Sequence, residues 1–221
     1  MTAPFHLHDS APTKPLIKRP GGKSRMLQHL LPVLEQYQHR CYCEPFCGGA
    51  AVLLAKKPSE HEVLNDLDGE ITNLYRQVKY HCEELIREMQ WMIESRRDFN
   101  DFKGQPGLTE IQRAGRWAFR NFYSYAGDND SFGVKRLGFS TRSYLLSKVT
   151  SFHVRIDRVT IENLSWERLP FPVRQRPDPI LPGPAVHRWR GSCLCAMESR
   201  PCDSARGSAS KIKGRVGVHA Q

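Results

Sequence analysis

The sequence predicts an α/β fold, a sheet covered by helices. Three observations lead there. Short apolar runs of strand length alternate with stretches of helical period. One such run passes straight into a Gly-Gly turn and a helix. Two of them end on carboxylates, Glu44 and Asp66. At 221 residues the chain can bury a core in one domain with a lobe.

The elements follow in order. "MTAPFHLHDSAPTKP" is polar and Pro-containing, without the apolar centre of a signal peptide, so residues 1–14 are expected as a disordered lead-in. Lys23–Tyr37 has apolar residues at helical spacing behind the Gly21-Gly22 turn, with a kink expected at Pro32. "RCYCEPF" suits a buried strand, and "AAVLLAKK" after Gly48-Gly49 suits a helix whose cationic end matches the dipole. His61–Asp66 reads as a second strand. "DGEITNLYRQVKY" and "CEELIREMQWMIESRRDF" are helices by period, and Glu110–Tyr125 is a basic, aromatic one. "AGDNDSFGVKRLGFSTR" is a polar loop, and Arg158–Trp166 a third strand. Residues 170–221 stand apart.

Composition narrows the partner. A formal charge of +10 points to a polyanion such as nucleic acid. That charge is uneven: from Pro170 to Gln221 nine Lys or Arg face three Asp or Glu, and seven of the fifteen prolines lie there. No apolar run reaches the roughly 18–20 residues of a membrane helix, so a cytoplasmic protein with seven cysteines as thiols is expected.

"CYCEPFCGGAAVLLAKK" (Cys41–Lys57) carries the first chemistry. Its cysteines lack a Cys-x-x-Cys pair and a spaced His, which argues against zinc and against a redox site. Strand, Gly-Gly turn and helix N-terminus instead let backbone approach a ligand. One strand later "LNDLD" sets Asp66 at a strand tip, where an α/β nucleotide site binds ribose hydroxyls. "RPGGKS" is no phosphate-binding P-loop, because Ile17 stands where that motif needs its first Gly. Lys23 remains a point charge for a carboxylate or phosphate.

"IKRPGGKSRML", "EPFCGGAAV", "LNDLDGEITNLYR" and "VTIENLSWE", in this order, resemble the Dam-type (D12 class) DNA adenine-N6 methyltransferase family over roughly Leu16 to Leu169. The resemblance implies a Rossmann-like methyltransferase sheet over residues 15–80 and 150–169, a helical DNA-recognition lobe over 81–149, S-adenosylmethionine as cofactor, double-stranded DNA as substrate and a monomer. It implies that Arg19 and Lys23 line the cofactor site, that Phe46, Cys47 and Gly48 form its floor, and that Asp66 holds the ribose. Glu110–Arg142 would read DNA, with Arg120, Lys135 and Arg136 on phosphates and Tyr123 stacking on bases. Trp117 and Phe119 suit the lobe's own core. No metal is implied.

The family completes its site with Asp-Pro-Pro-Tyr at a strand end, about 15–25 residues after the "IEN" strand. No such motif exists in this chain, so no catalytic residue is intact. A frame change accounts for the loss. The codons of Leu181–His187 can be written CTA CCT GGA CCC GCC GTA CAY. Read one nucleotide later, they give Tyr-Leu-Asp-Pro-Pro-Tyr, and Ile180 as ATT supplies a preceding Phe. Third positions are free, so this is compatibility. It falls at the expected place, inside the stretch whose composition is foreign, and sets the change between about Leu169 and Val173. Residues 170–221 are then an out-of-frame, disordered tail, and the sheet is incomplete. Two rivals stay open: an RNA or small-molecule methyltransferase on this fold, and a noncatalytic nucleic-acid-binding remnant.

Overall fold

Tyr42 and Cys43 have no exposed surface, which identifies their strand as an inner one. A computed structural model of the chain describes residues 14–36, 41–133, 142–169, 186–189 and 193–196. In it β1 (Cys41–Glu44) pairs in parallel with β2 (His61–Asn65), and β2 in parallel with β3 (Thr160–Glu162). Parallel neighbours need helical crossovers, and the chain supplies them. α1 (Leu27–Glu35) precedes β1, and α2 (Ala51–Ala55) joins β1 to β2. α3 (Gly69–Tyr80), α4 (Cys82–Gln90), α5 (Arg96–Gly104), α6 (Glu110–Tyr123) and α7 (Arg142–Ile156) all lie between β2 and β3.

Capping residues set the helix starts. Asp68, Ser95 and Thr109 each accept a hydrogen bond from a backbone N–H of the first turn, from Glu70, Asp98 and Gln112 respectively. The cap at Ser95 also explains a difference from the sequence reading. The single helix expected over "CEELIREMQWMIESRRDF" is two, broken at Trp91–Glu94, because Ser95 bonds forward to Asp98 and starts a new helix. α7 is a second difference. Its buried Leu145, Val149, Phe152 and Ile156 form one helical stripe in a segment to which the sequence reading gave no element. It runs unbroken through residues 149–150, where that reading set the return from lobe to core.

One hydrophobic core serves sheet and lobe together. It runs from Leu16 and Ile17 through Leu53 and Leu64 of the sheet layer, along Leu74 and Val78 of α3, to Phe119, Phe122 and Tyr123 of α6. A buried ion cluster closes one side: Glu62 of β2 meets Lys56 Nζ and Arg155 Nη1, each at 2.6 Å. The lobe is fastened to the amino-terminal segment by Asn121, which is 1% exposed. Its Oδ1 accepts from Lys18 N at 2.9 Å, while Nδ2 shares its two hydrogens among the carbonyls of Lys18 and Gly127 at 3.0 Å and Asn129 Oδ1 at 2.8 Å. Gly127 is required there, since a Cβ would lie 2.3 Å from Lys18 O, at a φ of +79°.

The sequence reading expects no regular structure after Pro170. Two short strands correct it for eight residues. β5 (Cys193–Ala196) pairs in parallel with β1, and β4 (Val186–Trp189) pairs antiparallel with β5, giving the sheet order β3-β2-β1-β5-β4. The physical reason lies in β1, whose buried backbone groups need hydrogen-bond partners on both edges. The other residues of the proposed out-of-frame tail lie outside the described ones, as do Lys135 and Arg136. No helix among the described residues is long and apolar enough to cross a membrane.

Candidate cofactor pocket and nucleic-acid face

β1 leaves the sheet at Glu44 and turns through Phe46, Cys47 and Gly48. Cys47 N donates to Asn65 O at 2.9 Å, which holds the turn against the end of β2. Gly48 adopts φ +46°, a left-handed conformation that side chains disfavour. Its N–H reaches Asp66 Oδ2 at 2.8 Å, and its carbonyl accepts from the Tyr75 hydroxyl. Asp66 Oδ1 accepts from Asp68 N at 3.0 Å. Burial raises the Asp66 pKa, against the opposing pull of the Gly48 N–H. The strand-end carboxylate is therefore fixed before any ligand arrives.

β3 braces it from the other side. Asn163 Nδ2 donates to Asp66 O at 2.8 Å and to Leu67 O at 3.2 Å. Asn65 Nδ2 donates to Pro45 O at 2.8 Å and Leu164 O at 2.9 Å, while its Oδ1 accepts from Leu164 N. The "LND" and "IEN" stretches thus lock each other, and the two strand ends keep one geometry.

The opposite wall is the segment 14–25, held in place by Asn121. Arg19 pairs with Asp68, the cap of α3, and its guanidinium lies 5.6 Å from the Trp117 ring centre. It joins core and lobe at the pocket's edge. Between the walls is a cavity of about 830 Å³, within the range that nucleotide-sized ligands occupy. Arg19, Lys23, Phe46, Cys47, Gly48 and Asp66, the six residues the sequence singles out for a cofactor, all line it. Phe46, 39% exposed, offers a ring face. Burial pushes the Cys47 thiol well up, and the neighbouring Asp66 adds to that, so it stays protonated.

Three residues that the sequence left without a role also line the cavity. Glu44 is 1% exposed, with Oε1 accepting from Leu53 N at 2.7 Å and Tyr42 OH at 3.0 Å. Burial raises its pKa, and Lys23 is among the groups that pull it back. Its place at the end of a strand was the available signal. Tyr144 and Lys148 of α7 also line the cavity. They were missed with their helix.

The expected DNA contacts fare differently. Tyr123 is 2% exposed, packed 4.7 Å from the Phe119 ring and 5.0 Å from that of Phe122. Burial pushes its hydroxyl up to about 12, with Glu94 as the next cause. It is a core residue here, because its position on α6 faces inward along the aromatic stripe. Tyr125, two residues on, is 78% exposed and presents the ring that Tyr123 does not. Arg120 turns toward the loop, donating to Asn129 O with its guanidinium 5.8 Å from the Phe99 ring. Trp117 and Phe119 pack against or within the core, as their apolar character implies.

Among the described residues no group of His, Cys, Asp and Glu could hold a metal ion. Residues 20–157 match the family described as D12 class N6 adenine-specific DNA methyltransferase. The chain is 39% identical over 74 residues to the type II methyltransferase M1.LlaDCHI of Lactococcus lactis subsp. cremoris, covering 33% of this chain and 25% of that one. It is 29% identical over 135 residues to the type II methyltransferase M.MjaIII of Methanocaldococcus jannaschii, covering 52% of this chain and 47% of that one. The aligned regions thus span between a quarter and about half the length of these relatives.

Proposed function

The chain belongs to the D12 class N6 adenine-specific DNA methyltransferase family, and from that premise we propose that its cavity is the S-adenosylmethionine site of a duplex-DNA adenine-N6 methyltransferase. The observation that carries this is convergence: six residues from three separated motifs line one cavity at the carboxyl ends of β1 and β2. The donor set fits the cofactor. Asp66, already braced, accepts from the ribose hydroxyls, and Phe46 covers the adenine ring. Glu44 suits an ammonium and Lys23 a carboxylate, so the two charged ends of the methionine moiety each find an opposite charge. When bound, S-adenosylmethionine supplies a methyl group on a sulfonium, the electrophile for the adenine amine.

The second half of the site is the family's Asp-Pro-Pro-Tyr. Its carboxylate and backbone carbonyl accept from the target amine while the Tyr stacks on the flipped base. In this chain we place its loss at a frame change between about Leu169 and Val173, which leaves the chain without transfer activity. The absence of that motif also supports a second reading, a noncatalytic DNA-binding remnant. Labelled methyl transfer by a frame-restored protein, offered duplex DNA, RNA and small amines in parallel, tests the first. Incorporation into duplex DNA is expected. Preference for RNA or a small amine would replace the substrate class. DNA binding without transfer by the restored protein would favour the remnant.

A further inference from the structure

The cavity carries a charge surplus that the cofactor does not use. Lys14, Lys18 and Lys148 line it together with Tyr144. No carboxylate among the described residues forms an ion pair with any of the three. The pocket's two acids are engaged elsewhere, Asp66 with Gly48 N and Asp68 N and Glu44 with Leu53 N and Tyr42 OH, and Asp68, outside the lining, pairs with Arg19. Lys148 Nζ donates to Leu16 O at 3.0 Å and lies 5.8 Å from the Tyr144 ring. An ammonium has three donors, so two remain for a ligand.

We propose that Lys148 of α7, with Lys14 and Lys18 of the opposing segment, forms a phosphate-binding site at the cavity mouth that holds a backbone phosphodiester of the DNA strand entering the pocket. The proposal rests on the DNA reading above. Three cations around one opening repel each other, and a diester anion removes that repulsion while its oxygens accept the free N–H groups. Burial, with the nearby Lys18 and Lys14 acting in the same direction, lowers Lys148 to about 8, as expected for a cation lacking a counter-charge. The position matters for the reaction. A phosphate fixed on α7, beside the wall that holds Arg19 and Lys23, would position its nucleotide next to the cofactor. Lys148 is thus a positioning residue.

The test uses the full chain and a fluorescently labelled duplex, with affinity measured by anisotropy from about 50 to 300 mM salt. Each phosphate neutralised contributes about 0.9 to the slope of log K against log salt. Lys148→Gln should weaken binding roughly tenfold at low salt and reduce the slope by close to one phosphate. Lys148→Arg should restore both, and circular dichroism melts of both variants report folding. The basic residues beyond Pro170 contribute equally to every variant, so the slope difference isolates this site. An unchanged slope in Lys148→Gln would overturn the proposal. So would weaker S-adenosylmethionine binding with the DNA slope intact, because the lysines would then hold the cofactor's carboxylate. Absence of salt-dependent DNA binding by the unaltered chain would overturn the DNA reading itself, and the site with it.

Discussion

Replacing Asp66 is the sharpest test of the pocket. Its two oxygens have distinct duties: Oδ2 accepts from Gly48 N at 2.8 Å and from the Cys47 thiol at 3.9 Å, and Oδ1 accepts from Asp68 N at 3.0 Å with a second lone pair for a ribose hydroxyl. Asp66→Ala removes the ligand contacts and the brace together. Hydrogen bonds to a charged group contribute about 1.5–3 kcal/mol, so the dissociation constant for S-adenosylmethionine should rise by about 10- to 150-fold. Asp66→Asn keeps one oxygen for Gly48 N and removes the charge, and its loss should be about half as large in free energy. Asn163 and Asn65 hold the turn through backbone groups, so both variants should stay folded. Isothermal titration of the frame-restored protein measures the affinity, and a thermal melt checks the fold. Unchanged affinity in Asp66→Ala, with the melt intact, would remove Asp66 from the site.

Other outcomes follow from the same geometry. Glu62→Gln leaves Lys56 and Arg155 buried without their carboxylate, and should cost about 3–5 kcal/mol of stability in chemical denaturation at pH 7. Its partners hold the Glu62 pKa below the usual value in spite of burial. The stabilisation is therefore present above the unfolded carboxylate pKa and lost as pH falls through the folded one, so the gap between the two proteins should narrow below about pH 4.5. Tyr125→Ala should weaken duplex binding by about 1–3 kcal/mol if its exposed ring stacks on a base, with the melting temperature unchanged. Tyr123→Ala should instead destabilise the fold by about 3–5 kcal/mol, because it empties a core position; anisotropy and melts of the two variants separate the roles.

The pocket was legible because its residues sit at strand ends and in a glycine turn, where local sequence and local geometry coincide. Asp66 and Gly48 could be paired before any coordinates, since both follow buried strands. The lobe was harder. Periodicity placed α6, yet it could not say which face of an aromatic-rich helix turns inward, and Tyr123 went to the core while Tyr125 stayed outside. α7 was missed because Ser, Thr and Val dilute its helical propensity, although Leu145, Val149, Phe152 and Ile156 repeat at the spacing of one face. Lys148 was hidden with it. Asn121 gave no signal at all, since its four hydrogen bonds reach residues both 103 positions back and eight ahead. Nor could composition foresee that backbone from the stretch after Pro170 would fill the free edge of β1.

Labelled methyl transfer to duplex DNA, with nucleoside analysis for N6-methyladenine, tests most directly whether this chain carries the pocket of an adenine methyltransferase interrupted before its catalytic strand end. Two proteins are compared: the chain as it stands, and one whose reading frame is shifted by one nucleotide near codons 169–173 to restore Asp-Pro-Pro-Tyr. The restored protein should form N6-methyladenine and the unaltered chain none, because only the former has the acceptor for the target amine and the Tyr that stacks on the flipped base, worth about 1–3 kcal/mol. Equal methylation by both proteins would contradict the frame change and put the catalytic residues elsewhere in the chain.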